Sequence, residues 1–372
     1  METLRVTAAE IIAYRFFDLA YSVDLVQAES IWRERSGGDT ARKRLSATPP
    51  KAVSYDVPPV VLSLEPIRLV LPDGEATATM TARVYDFGVL TLALSVPAAD
   101  LGWREFSALL NHVNDAVGPG SGHPVWTQLT AQLLDILRPA LTRPGNTSLE
   151  EDYIVGFVRA FDRPMTGAAL LGEVDLVPLL SGEEQLLSDG ARADLLRKRF
   201  SYYTDDLAVL TWDRAFIYEP RGDSDVLDVL QVANAQLLEM RFYDELLDDE
   251  LPRMYDLVET THRIGGLLNS RRFATLARRL YTLVAEVTEL TEKVDNALQV
   301  TEDVYLARIY TAALELFRVR VVSAAVDRKL SIIRDTYSAL YNEASGGRAA
   351  AMELAIVVLI LVEIVLALVH SA

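Results

Sequence analysis

Hydrophobic positions change period along this chain, and the changes divide it. Residues 9–18 (AEIIAYRFFD) are rich in β-formers and predict a strand. Val23, Val26, Ile31 and Trp32 then fall at helical spacing and predict a helix over 22–34. Two strands are expected around 60–70, and a hairpin over 76–96 with Asp86, Phe87 and Gly88 at its turn. Helices follow at about 103–116 and 125–140, with Gly118, Gly120 and Gly122 between them. A strand is predicted over 153–161 and a helix over 188–198. Tyr202–Tyr203, 207–211 and 215–218 read as further strands. Strands and helices mixed in no strict βαβ order predict an α+β N-terminal domain over 1–220.

Beyond Pro220 the pattern is helical alone. Asp223 and Ser224 can cap a helix, and Asp248, Asp249 and Glu250 with Pro252 read as a restart that ends near Gly265 and Gly266. Leu280, Leu283, Val287, Leu290, Val294 and Ala297 keep 3–4 spacing. After an interruption at 299–303 the spacing resumes at Ile309, Ala312, Leu316, Val319, Ser323, Val326, Leu330, Ile333, Tyr337 and Leu340. A period of 3.5 residues predicts an antiparallel coiled-coil hairpin with left-handed supercoiling, within a helical domain over 221–348. The seam packs within the hairpin or in part against another chain, which makes Leu316, Leu330 and Ile333 candidate assembly residues.

The last apolar run, 349–369 (AAAMELAIVVLILVEIVLALV), reaches roughly 31 Å as a helix. It predicts one C-terminal transmembrane helix that tethers the rest of the chain. Lys329, Arg328, Arg334 and Arg348 precede it and no Lys or Arg follows, which predicts the bulk of the chain on the cytoplasmic side, most simply of a bacterial inner membrane. Glu363 falls deep in that run. A carboxyl group there is expected to be satisfied across a helix–helix contact, in a homo-oligomer or with a protein partner.

Composition narrows the chemistry. The formal net charge of −17 argues against general affinity for nucleic acid or for an anionic surface. Cysteine is absent, which removes disulfides, zinc–thiolate sites and thiol nucleophiles. Asp86-Phe87-Gly88 lacks every companion motif of a kinase. The glycine stretch 118–122 contains Pro119 and no lysine, so it reads as a connector rather than a phosphate cradle. Residues 35–51 are a basic polar connection. Asp205, Asp206 and Asp213 are close in sequence and could serve acid–base or metal chemistry, although aspartate is also an ordinary turn residue. Arg263, Arg271, Arg272, Arg278 and Arg279 give the first hairpin arm a basic face that could grip RNA or lipid head groups, or pair with Glu286, Glu289 and Glu292.

The run YLARIYTAALELFRVRVVSAAVDRKLSIIRDTYSAL, followed by MELAIVVLILVEIVLAL, resembles the "required for meiotic nuclear division" family. Arg320, the patch from Val326 to Leu330, Glu353 and Glu363 carry the resemblance, with weaker likeness at 200–203, 206–213 and 234–248. Asp327 stands where many members carry asparagine. The resemblance implies an α/β body, a helical hairpin and a membrane anchor, with mitochondrial relatives linked to support of translation. It implies no catalytic residues.

These features together predict a non-enzymatic, membrane-anchored scaffold or interaction protein that assembles through its helices. No catalytic, cofactor-binding or metal-ligating residues are assigned. Membrane and protein partners are expected, and nucleic acid is not. The rival readings are a metal-dependent hydrolase using Asp205, Asp206 and Asp213, and a ribosome or RNA tether using the arginines of 263–279.

Overall fold

The structure, a computed structural model, describes residues 4–36, 40–42, 53–55, 57–145, 149–183, 185–263, 269–296, 298–300, 304–339, 341 and 357. The chain forms two compact units, one of residues 1–242 with 293–320 and the other of 243–292 with 321–372.

A ten-stranded sheet is the frame of the first unit. Its strands are β1 (Arg5–Asp18), β2 (Thr40–Arg42), β3 (Val60–Leu71), β4 (Gly74–Val84), β5 (Val89–Ala98), β6 (Leu101–Gly102), β7 (Glu150–Phe161), β8 (Arg199–Phe200), β9 (Leu207–Leu210) and β10 (Arg214–Tyr218). They lie in the order β8-β9-β10-β7-β1-β5-β4-β3-β2, with β6 also on β1. Neighbours are antiparallel except β7 and β10, which run parallel. Two small ladders join Ala20–Val23 to Leu141–Pro144 and Val53–Tyr55 to Leu298–Val300.

The alternation of side chains across the pleat gives the sheet two different faces. Ile11 and Ala13, Leu90 to Val96 at alternate positions, Met80, Ala82, Ile154 and Phe216 point to one side. There they meet α1 (Leu25–Ser36), α2 (Trp103–Val117), α3 (Val125–Leu137), α4 (Gly167–Glu173) and α5 (Val177–Ser181) in a single apolar core. Helix α2 buries Phe106, Leu110, Val113 and Val117 completely. It can approach β7 closely because Gly156 lies beneath it, where a Cβ would sit 3.1 Å from Leu110 and 3.4 Å from Phe106.

The other face is polar at its centre. Register sets Tyr14 beside Ala93 and Tyr153, and Thr91 between Phe16 and Arg83. Helix α6 (Asp189–Leu195) buries none of its residues, and the first part of α7 (Asp225–Arg263) covers the polar face. From Asp225 to Glu239 nearly every side chain of that helix is buried, and six of them are polar: Asp225, Asp228, Gln231, Asn234, Gln236 and Glu239. Buried polar groups require partners. Arg83 Nη2 donates to Asp228 Oδ1 at 2.6 Å, Gln231 Nε2 donates to the Tyr14 hydroxyl at 3.4 Å, and the Tyr310 hydroxyl donates to Gln236 Oε1 at 2.6 Å. Burial raises the phenol pKa values of Tyr14, Tyr85 and Tyr153, so all three stay neutral.

The hairpin predicted over 76–96 is β4–β5. Its turn needs glycine at 88, where φ is +101° and a Cβ would overlap the Ala20 carbonyl oxygen at 1.7 Å. The two strands expected around 60–70 are one strand, β3, with a register shift between Leu64 and Ile67. Pro66 has no N–H for the ladder, and a bulge absorbs it without ending the strand.

The second unit is helical. It holds the later part of α7, α8 (Asn269–Asn296) as far as 292, and α10 (319–339) from 321 onward. The restart expected at 248–250 does not occur, and α7 runs continuously through Pro252. The acids there are paired instead: Lys329 Nζ lies 2.6 Å from both Asp244 and Asp248, and Arg279 lies 3.1 Å from Glu250. Seam positions face inward, with Leu280, Val287, Val326 and Ile333 buried. Leu330 is half-buried. The pattern at 309–340 is not one helix, however. α9 (Val304–Leu316) ends at a turn where Arg318 takes φ +57°, while Phe317 packs edge-on against Tyr153 with ring centroids 5.3 Å apart. Burying Phe317 in the first unit interrupts a spacing that alone would carry the helix through.

The expected transmembrane helix is corrected. Among the described residues no helix is long and apolar enough to cross a membrane. The fold is therefore described as an α+β body with C-terminal helices, and the single-pass location and cytoplasmic orientation fall with the anchor. The long described helices carry charge at nearly every turn, as α8 does with Arg278, Arg279, Glu286, Glu289 and Glu292. An apolar run of sufficient length is necessary for a span but does not by itself distinguish one from other apolar helices. Of 349–369, only Val357 is among the described residues, and Glu363 lies outside them.

Candidate functional site

A groove with a basic lining lies between the edge strand β8 and α9. Arg197, Lys198, Arg199 and Phe200 form one wall, and Val304, Ala307, Arg308, Thr311, Ala312 and Glu315 the other. Its volume is about 510 Å³. The α9 wall is a single helix face, since its residues fall at i, i+3, i+4, i+7, i+8 and i+11. The opposite face of α9 buries Leu306, Ile309 and Ala313 in the unit's interior. Pairing of Arg199 with Val209 and of Phe200 with Ala208 fixes the other wall, and Leu210 N–H donates to the Lys198 carbonyl at 2.9 Å. Among the described residues β8 pairs with β9 alone, and its residues line the groove.

Positive charge dominates there. Arg197 pairs with Asp194, and Lys198 Nζ lies 2.5 Å from Glu315 Oε2. Arg199 and Arg308 are exposed and make no ion pair among the described residues. The Arg308 guanidinium stands 5.7 Å from the Phe200 ring centroid. Glu315 is held below the usual carboxylate range, first by the Lys198 hydrogen bond and charge and then by the more distant Arg320 and Arg197.

A shelf of tyrosines continues the groove. Tyr202 and Tyr203 follow β8 and are 63 % and 54 % exposed. Their rings stand 4.7 Å apart, edge to face, and the Tyr305 ring of α9 lies 5.4 Å from Tyr202. Arg221 covers Tyr203 with its guanidinium 4.2 Å from the ring centroid. The segment expected as a strand at 202–203 is instead a tight turn. Its shape is set by Asp206, whose carboxylate accepts the Tyr202 N–H at 2.8 Å and the Tyr203 N–H at 2.9 Å. Ser201 Oγ donates to the Asp206 carbonyl at 2.7 Å.

That geometry defines what the three aspartates do. Arg221 joins Asp205 at 3.0 Å, Asp206 at 3.3 Å and Glu219 at 3.0 Å. Asp213 sits at the other end of β9, a strand of about 13 Å. Burial raises its carboxyl pKa, with Arg214 and the Thr211 hydroxyl acting in the opposite sense. The aspartates do not converge, and among the described residues no three His, Cys, Asp or Glu side chains could hold a metal ion.

Other sequence candidates are scattered. Leu316 is half-buried on α9 and Ile333 is fully buried in the second unit. Arg278 is exposed on α8, while the side chains of Arg271 and Arg272 lie outside the described residues. The groove itself went unread because its walls are more than 100 residues apart in sequence. The run Arg197-Lys198-Arg199-Phe200 was the available signal, three cations and an aromatic side by side in an acidic chain.

Residues 8–225 match the family described as the N-terminal domain of the uncharacterized protein MJ0711. The uncharacterized protein MJ0711 of Methanocaldococcus jannaschii is 25 % identical over 194 residues, which cover 52 % of this chain and 58 % of that protein. The chain thus spans little more than half the length of this curated relative. No solved structure matches. Neither match bears the description of the family that the C-terminal run resembles. More than half of the chain is covered by one family match that takes in most of the sheet and the β8 wall of the groove, and the chain belongs to the MJ0711 N-terminal domain family.

Proposed function

We propose that the protein is a binding and assembly protein rather than an enzyme. Its α+β unit grips an anionic partner in the β8–α9 groove, and its helical unit assembles through seam positions that its own packing leaves partly open, such as Leu330. The observation that carries this reading is the gathering of Arg197, Lys198, Arg199 and Arg308 in one groove of a chain whose net charge is −17. Such a field is local. It acts on a ligand inside it while the rest of the surface repels.

A kinship of the helical region with the "required for meiotic nuclear division" family belongs to the same proposal and concerns residues beyond the matched 8–225. Within the resembling stretch, Lys329 pairs with Asp244 and Asp248 of α7.

The test is binding of a fluorescent heparin oligosaccharide to the full chain at low salt. The wild type is expected to bind and to release the probe as salt rises. Arg199→Glu with Arg308→Glu is expected to lower affinity more than tenfold with unchanged thermal unfolding, because both side chains are exposed. Equal binding by wild type and variant would remove the groove as the site.

A further inference from the structure

We infer that the anionic partner of the groove is single-stranded nucleic acid. The inference rests on the anion-binding reading above and goes further, because the groove is more than a set of charges. Phe200 lines the groove with Arg199 and Arg308, and Tyr202, Tyr203 and Tyr305 cluster beside it, two of them just after β8 and the third next to Val304 of α9. An acidic polypeptide would use the cations and leave the tyrosine faces in water. A single strand uses both, with phosphates against the arginines and unpaired bases against the rings. A duplex keeps its base faces stacked inside, out of reach of such a shelf.

The shelf is built in advance of any ligand. The Asp206 carboxylate holds the Tyr202 and Tyr203 backbone N–H groups, and Arg221 packs on Tyr203 while bound to Asp205, Asp206 and Glu219. Rings fixed in this way need little further ordering when a base stacks on them. The aspartates thus position the binding surface. The acidity of the whole chain, which argued against nucleic acid, does not describe the groove, whose lining carboxylate Glu315 is paired with Lys198; on the shelf, Asp205, Asp206 and Glu219 are gathered on Arg221.

The experiment is fluorescence anisotropy with the full chain and four probes: a 12-nucleotide oligouridylate, the matching oligothymidylate, a 12-base-pair DNA duplex and a polyglutamate of equal charge. Both single strands are expected to bind more tightly than the duplex and the polyglutamate, and a preference between them would report whether the 2′-hydroxyl is read. Tyr202→Ala with Tyr203→Ala is expected to weaken single-strand binding at least tenfold. Tyr202→Phe with Tyr203→Phe should restore it, since the rings remain. Polyglutamate or duplex bound as tightly as the single strands, or an alanine pair that binds like wild type, would overturn the nucleic-acid assignment and leave the anion groove standing. No binding of any probe, heparin included, would overturn both.

Discussion

Asp228→Leu is expected to destabilise the first unit by about 3–5 kcal/mol, the cost of leaving one buried charge without its partner. Asp228 is fully buried on α7, and its side chain reaches Arg83 of β4 at 2.6 Å, where the arginine side chain is itself only 8 % exposed. Tyr14 and Gln231 lie beside the pair and are buried with it. Arg83→Met should cost a similar amount, because it strands the carboxylate instead. The double variant is expected to recover most of the loss, since two apolar side chains of similar volume need no partner. Denaturant unfolding of the full chain, followed by the near-ultraviolet signal of its four tryptophans, all in the first unit, measures this. Single variants that lose less than about 1 kcal/mol would show that α7 is not held to the sheet by the pair.

In the helical unit the largest loss should come from Ile333→Asp, about 3–5 kcal/mol for a carboxylate forced into a fully buried apolar site. Leu330→Asp should cost clearly less. Leu330 occupies the same heptad seam, yet it is half-buried, so its carboxylate can reach water. Far-ultraviolet circular dichroism during thermal unfolding separates the two. An equal loss at both positions would mean that the seam is closed along its length, as the spacing alone implies.

These two sites mark how far the sequence could be read. The seam was legible because one face of a helix repeats every 3.5 residues, and Val326 and Ile333 are buried where that repeat places them. The strands 9–18, 76–96 and 153–161 were legible from their β-forming residues and turn signals, and they became β1, the β4–β5 hairpin and β7. The polar layer was not. Arg83 follows an alternating strand, and Asp228, Gln231, Asn234, Gln236 and Glu239 look like the solvent face of an amphipathic helix. Only the fold reveals that this face is buried, because its partners lie on β1, β4 and α9, far away in the chain. The break at Arg318 was likewise invisible, since it depends on Phe317 finding Tyr153. The apolar run 349–369 predicted an anchor from length and hydropathy, and among the described residues no helix supplies one.

The groove belongs with the polar layer. Charge counted over the whole chain hid it, and separation in sequence hid it again. Its occupancy is the central claim, and hydrogen–deuterium exchange of the full chain, with and without a saturating heparin oligosaccharide, tests it most directly. The predicted result is slowed exchange at the amides of 197–203 and of α9 from Val304 to Glu315, with no change across α8. Protection confined to α8, around Arg278 and Arg279, or no protection anywhere, would contradict it.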